Sequence, residues 1–205
     1  MRILAVGDEV SPTLERAVLS ESFPKVGLIL SCGDLPYDYL EFLVDAVGAP
    51  LLFVRGNHDR PVETEERVIH APQGCVDVDG KVVEVGNLII LGLGGSRRYS
   101  EKGGNQYTEG EMRRRAFRVF PRLWWNAHRK GRALDILLTH APPRGIHDAP
   151  DPAHQGFETF LSLIRRWKPK VHLHGHTPPR PGLPTETVID STRVIHVRGF
   201  RILEL

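Results

Sequence analysis

Residues 51–59 read LLFVRGNHD: four apolar residues, Leu51 to Val54, run through Arg55 into the cluster Gly56-Asn57-His58-Asp59. A short run that is apolar throughout, rather than alternating, is the mark of a strand buried on both faces, and glycine with polar residues ends it. The same shape recurs upstream, where Arg2 to Val6 ends at Gly7-Asp8 and Val26 to Leu30 ends at Gly33-Asp34. Downstream, Leu134 to Leu138 ends at Thr139-His140, and Val171 to Leu173 ends at His174-Gly175-His176.

Helical stretches separate the first three runs. Thr13 to Ser20 has Pro12 near its start, and Tyr37 to Val47 follows Pro36. Proline suits a helix start because the N–H it lacks has no partner there. Strand, helix, strand, helix, strand predicts an α/β protein with a parallel sheet and right-handed crossovers.

Beyond Val76 the texture changes. Lys81 to Val85 and Leu88 to Leu91 flank Gly86-Asn87 and read as a hairpin. A glycine-rich loop, Gly92 to Gly104, follows, and then Thr108 with Glu111 three residues on, a capping box that opens a helix. Phe117, Phe120 and Leu123-Trp124 recur along that helix at core spacing, so Trp124 and Trp125 are expected at the core or its edge. Arg113, Arg114, Arg115, Arg118 and Arg122 then form its solvated face. Phe157 to Trp167 is helical, and Val188-Ile189, Val194 to Val197 and Phe200 to Leu205 are expected to close a second sheet. No repeat, low-complexity tract or linker divides the chain, so a single domain is expected over residues 1–205.

Composition bounds the function. The chain has 205 residues, 40% hydrophobic and 25% charged, as an ordinary globular protein does. A net charge of +2 is too mild to argue for nucleic acid by itself. Cys32 and Cys75 form no CxxC pattern, and a reduced, cytoplasmic setting is expected. Asp8 and Glu9 interrupt the apolar stretch a secretion signal needs, and no run approaches the roughly 20 apolar residues of a membrane span.

Every strong motif follows a strand. In open α/β sheets the ligand site lies beyond the carboxyl ends of the strands. Asp8, Asp34, Asn57-His58-Asp59, His140 and His176 are therefore expected in one place. Carboxylate, amide oxygen and imidazole together suit a divalent ion such as Mn, Fe or Zn.

In order, GD at 7–8, GD at 33–34, GNHD at 56–59, TH at 139–140 and GHT at 175–177 resemble the five-block signature of calcineurin-like metallophosphoesterases. The stretch THAPPRGIHD is similar to the fourth block of the small bacterial and archaeal-type phosphodiesterase branch. The resemblance implies a four-layer α/β/β/α sandwich and hydrolysis of a phosphoester, a diester or nucleotide rather than a protein phosphate. It implies that Asp34 bridges two ions, that Asn57, His140 and His176 complete one site, and that Asp8 belongs to the other. It makes His58 the general acid, with Asp59 orienting its ring.

Two positions depart from the family pattern. Val10 and Pro178 stand where it has histidines, both serving Asp8's site, and neither side chain has a donor atom. One well-formed metal site and one doubtful site are expected. A weakened nucleotide- or phosphate-binding protein and a nuclease using the arginine helix stand as alternatives to an active phosphodiesterase. The partner expected is a small phosphoester or nucleotide, with nucleic acid not favoured.

Weaker signals have plainer readings. GLGGS at 92–96 lacks the Lys-Ser/Thr ending of a phosphate loop and reads as a connection; Arg97 and Arg98 beside it are candidate phosphate clamps. His147 and His154 are candidates to repair the doubtful site. His174 is a candidate to support a ligand, although an ordinary buried histidine is the simpler reading; Glu9 is expected to point away, and Cys32 to be a small buried residue.

Overall fold

A computed structural model describes residues 1–205 apart from 64–67, 102, 179–181 and 183. Two sheets face each other. The first runs in the order Gly199–Glu204, Arg2–Gly7, Leu28–Ser31, Leu51–Phe53, Cys75–Asp77. The second runs Glu186–Ile189, Thr192–His196, Val171–His174, Ile136–Thr139, Leu88–Leu93, Val82–Val85. Central strands pair parallel, and antiparallel partners sit at Gly199–Glu204, Glu186–Ile189 and Val82–Val85.

The apolar runs explain the layers. Side chains alternate across a strand, so a wholly apolar strand offers a buried face to each side. Ile3, Ala5, Leu28, Leu30, Ile136, Leu138, Val171 and Leu173 meet between the sheets. Leu4, Val6, Ile29, Leu51 and Phe53 face the other way, against helices α1 (Pro12–Val18) and α2 (Tyr37–Val47). Ile89, Leu91, Leu137 and Val194 do the same against α3 (Glu109–Lys130) and α4 (Glu158–Trp167). The outcome is the expected α/β/β/α sandwich.

Local signals hold at the helix ends. Ser11 accepts the Leu14 N–H to cap α1, and both bonds of the Thr108–Glu111 capping box are made. The hairpin turns at Gly86, whose φ is 56°.

Two expectations are corrected, and one strand is added. The final strand does not close the second sheet: Gly199–Glu204 pairs antiparallel with Arg2–Gly7, with Leu4 opposite Ile202. The chain crosses between the sheets at Val197-Arg198-Gly199, where Val197 stays in the inter-sheet core and Gly199 takes φ 68°. Cys75–Asp77, which gave no strand signal, supplies the opposite edge of the first sheet. On α3, Trp124 and Trp125 are 47% and 51% exposed, and Phe117 is 74% exposed. The face that packs is Met112, Ala116, Val119 and Leu123, a narrower stripe than the aromatics suggested.

Candidate metal centre

Parallel strands put their carboxyl ends on one edge, and all five motifs meet there. Asp8, Asp34 and His176 adopt left-handed backbone conformations, with φ 62°, 56° and 72°. Non-glycine residues rarely do so, and such strain concentrates where a side chain must be aimed.

Donor atoms converge on His140 Nε2. Asn57 Oδ1 and His176 Nδ1 each lie 3.0 Å from it, and Asp34 Oδ2 lies 3.3 Å away. Among the described residues, the group of histidine and acidic side chains whose ligand atoms all lie within 4.8 Å of one another is Asp34, His140 and His176. Asn57 adds an amide oxygen.

Three of the four donors are aimed by a neighbour. The His140 Nδ1–H donates to the carbonyl of Cys32 at 2.8 Å, so Nε2 faces the cluster. The His176 Nε2–H donates to the carbonyl of Ala153 at 2.7 Å, so Nδ1 faces it. Asn57 gives its Nδ2–H to the Tyr99 hydroxyl at 3.1 Å and turns its oxygen inward. Outer partners of this kind fix tautomer and ring orientation at metal sites.

The GNHD turn is pinned in the same way. Asp34 Oδ1 accepts the His58 N–H at 2.9 Å, while Asp59 Oδ2 accepts the N–H groups of Gly56 and Asp34 at 2.8 and 3.0 Å. Asn105 Nδ2 reaches the carbonyls of Gly56 and Asp59, both at 3.0 Å. Asp59 thus shapes the turn; its Oδ2 serves backbone amides rather than the ring of His58. Gly56 is required: a Cβ there would lie 1.9 Å from Asp34 Oδ1.

Asp8 stands outside the donor group. Both its oxygens accept the His176 N–H, at 2.9 and 2.7 Å, and Oδ1 is 4.0 Å from His140 Nδ1. Burial raises its carboxyl to about 6, against the pull of His140. His140 is fully buried, which opposes its charge, yet Asp34 and then Asp8 outweigh burial and lift it to about 9. His176 falls to about 3, through burial and the neighbouring His140 charge. Burial raises Asp34, and the bond from His140 more than offsets it, leaving that carboxyl below its usual range.

The cluster therefore demands a positive charge at its centre, and a divalent ion fits that demand. Two carbonyl-fixed imidazoles, an amide oxygen and a carboxylate are a donor set for a divalent metal ion.

The remaining candidates lie outside the donor group. His58 is exposed on the wall of an open cleft of about 590 Å³. His154 lines the same cleft, with Nδ1 2.8 Å from Asp151 Oδ1. His147 is committed away from the site, to His174 Nε2 and Thr187 Oγ1, each at 2.9 Å. Arg97 and Arg98 pair with Glu109 and Glu111 and are not among the residues that line the cleft, which removes them as phosphate clamps there. GLGGS packs against the GNHD strand instead, with the Gly95 N–H on the Arg55 carbonyl at 2.7 Å. Cys32 is a buried small residue, as expected. Tyr99 and Asn105 carried no sequence signal; isolated polar residues in a glycine-rich loop have no periodicity to betray them.

A family model described as calcineurin-like phosphoesterase matches residues 1–180. No curated protein sequence matches at a significant level. Among solved structures, TT1561 of Thermus thermophilus superposes with a TM-score of 0.63 at 16% identity, over 97% of this chain and 88% of that one. Another superposes with a TM-score of 0.64 at 14% identity, over 98% of this chain and 94% of its own. At these identities the likeness concerns the fold.

Proposed function

The chain belongs to the calcineurin-like phosphoesterase family, whose members are metal-dependent phosphoesterases, and from that premise we propose that it hydrolyses a phosphodiester or nucleotide at a metal ion held by Asp34, Asn57, His140 and His176. One observation carries this reading. Four donor atoms from four separate motifs point at one another, and three of the four side chains are aimed by a partner that leaves the ligand atom free.

When bound, the ion supplies positive charge beside the phosphoryl group and acidifies water there. The protein's own residues do the rest. Asp34 ties the ion's position to the His58 backbone through its bond to that N–H. Asp59 and Asn105 hold the turn that carries His58. His58, exposed on the cleft wall, is the group we assign to protonate the leaving oxygen. A positioned acid of this kind contributes roughly 10²–10⁴-fold.

The test is metal analysis of the purified protein together with hydrolysis of an activated diester in the presence of Mn. About one ion per chain and measurable turnover is the expected result. His58→Ala should slow cleavage by about 10²-fold or more and leave the metal content unchanged. Loss of metal in that variant, or a metal-loaded wild type without turnover, defeats the reading. Tight nucleotide binding without turnover would favour the binding-protein alternative.

A further inference from the structure

We propose that Arg198 is the second phosphate-binding group of this cleft, taking one non-bridging oxygen of a phosphodiester while the metal ion takes the other. The inference rests on the phosphoesterase reading above and names the part of the site that an ion cannot supply.

The position of Arg198 follows from the crossing between the sheets. The strand Thr192–His196 ends at the site's edge, and the chain passes through Val197 and Arg198 before Gly199 pairs with Gly7. That pairing sets Arg198 beside the segment after the first strand, where Asp8 and Glu9 stand. Arg198 Nη2 forms an ion pair with Glu9 Oε1, and both side chains line the cleft with Asp8, Asp34 and His58.

Charge shows why it matters. Asp8, Glu9 and Asp34 all face the cleft. One divalent ion leaves one of those three negative charges uncompensated, and an anionic substrate would be repelled. Among the described lining residues, Arg198 is the one arginine or lysine. Its guanidinium stays protonated at any working pH and so cancels the remaining charge. Val10 and Pro178 offer no donor atom, so no further ion is held from those positions.

Geometry favours a phosphate over a purely structural ion pair. Glu9 and Arg198 are 51% and 35% exposed in their side chains, and exposed pairs contribute little stability. A guanidinium carries five N–H donors in a planar fork, and the bond to Glu9 uses one Nη2. Glu9 therefore parks the group beside Asp8 without exhausting it. A diester bears one negative charge and two non-bridging oxygens, one for the ion and one for the fork; against a cleft whose charges sum to zero, a monoester dianion adds twice the uncompensated charge.

The test compares wild type, Arg198→Met and Arg198→Lys, each loaded with Mn. Metal content and thermal midpoint establish that the variants keep the ion and the fold. Inorganic phosphate is titrated by calorimetry, and KM and kcat are measured for an activated diester. Arg198→Met should weaken phosphate binding and raise KM about tenfold or more, with metal content unchanged. Arg198→Lys should recover part of that loss, because it restores charge but not the fork. Equal phosphate affinity and equal KM in all three proteins overturn the proposal, as does a metal-loaded wild type that binds no phosphate. A wild type that takes up no metal defeats the parent reading instead. Arg198 is then the one arginine or lysine among the described lining residues, and an unchanged phosphate affinity in Arg198→Met overturns this inference as well.

Discussion

His140 gives its Nδ1–H to the carbonyl oxygen of Cys32, 2.8 Å away, and a carbonyl can only accept. The second nitrogen, Nε2, is thereby left facing Asp34, Asn57 and His176. Without an ion those groups raise the ring's pKa to about 9, so Nε2 holds a proton at neutral pH. An incoming ion has to displace it. Metal uptake below pH 9 should therefore release about one proton per ion, and affinity should rise by about tenfold per unit from pH 7 to 9. Calorimetry in buffers of different ionisation enthalpy counts the proton. Uptake with no proton release sinks the assignment of His140 as the protonated group.

The same ring sets how the ion-free protein responds to pH. Its folded pKa, about 9, lies above the roughly 6.5 of an unfolded histidine. The stability it contributes is fully present below pH 6.5 and is lost as pH rises through 9. The linked loss is on the order of 3 kcal/mol. Asp8 at about 6, and His176 at about 3 with an unfolded value near 6.5, have finished contributing by about pH 7.5, so the His140 loss is read above that point. Urea titrations of ion-free protein at about pH 7.5 and 9.5 should show the fall, and Mn-loaded protein should not.

Gly56 tests how tightly the turn is built. A Cβ there would sit 1.9 Å from Asp34 Oδ1 and 2.8 Å from His140 Cε1. Gly56→Ala should abolish metal binding and cost about 1–3 kcal/mol, since neither the pinned carboxylate nor the buried ring can move aside. Gly104→Ala is the control: a Cβ there meets nothing within 4 Å. It should leave metal content and thermal midpoint unchanged.

Most of the scaffold was legible because buried parallel strands advertise themselves. Residues 28–30 and Leu51–Phe53 are apolar throughout, and Gly33-Asp34 follows the first and Gly56-Asn57 the second, so both their existence and the location of Asp34 and Asn57 could be read directly. Cys75–Asp77 could not: an edge strand with Val76 half-exposed has neither an apolar run nor a clean alternation. The sheet joined by Gly199–Glu204 was hidden too, because partner choice depends on a crossing after Val197 and not on the strand's own pattern. At the site, motif residues were visible by their spacing, whereas Tyr99, Asn105 and Arg198 act through long-range contacts. The bonds from Asp59 Oδ2 to the Gly56 and Asp34 amides could not be read either, because they depend on the folded turn.

Helix α3 offers a check on which of its apolar residues pack. Leu123 is fully buried, whereas Trp124 beside it is 47% exposed and lies tilted against His128 with ring centroids 4.0 Å apart. Leu123→Ala should cost about 2–5 kcal/mol through the cavity it leaves. Trp124→Ala should cost under about 1 kcal/mol, because a surface ring loses little contact. Equal losses in chemical denaturation would mean that the aromatic stripe, and not the Met112–Leu123 face, carries the packing.

Tyr99 gives the sharpest test of the outer support around the ion. Its hydroxyl accepts the Nδ2–H of Asn57 at 3.1 Å and so decides which end of that amide faces the cluster. Removing the hydroxyl leaves the amide free to flip, presenting Nδ2, which cannot ligate, in place of Oδ1. Tyr99→Phe should then lower metal affinity about tenfold, the low end of what outer partners contribute, with little change in thermal midpoint. The ring is 43% exposed, so losing one hydroxyl opens no cavity. Competition against a fluorescent chelator reads the affinity directly. Affinity equal to wild type would show that His140 and the fold hold Asn57 in place without help from Tyr99.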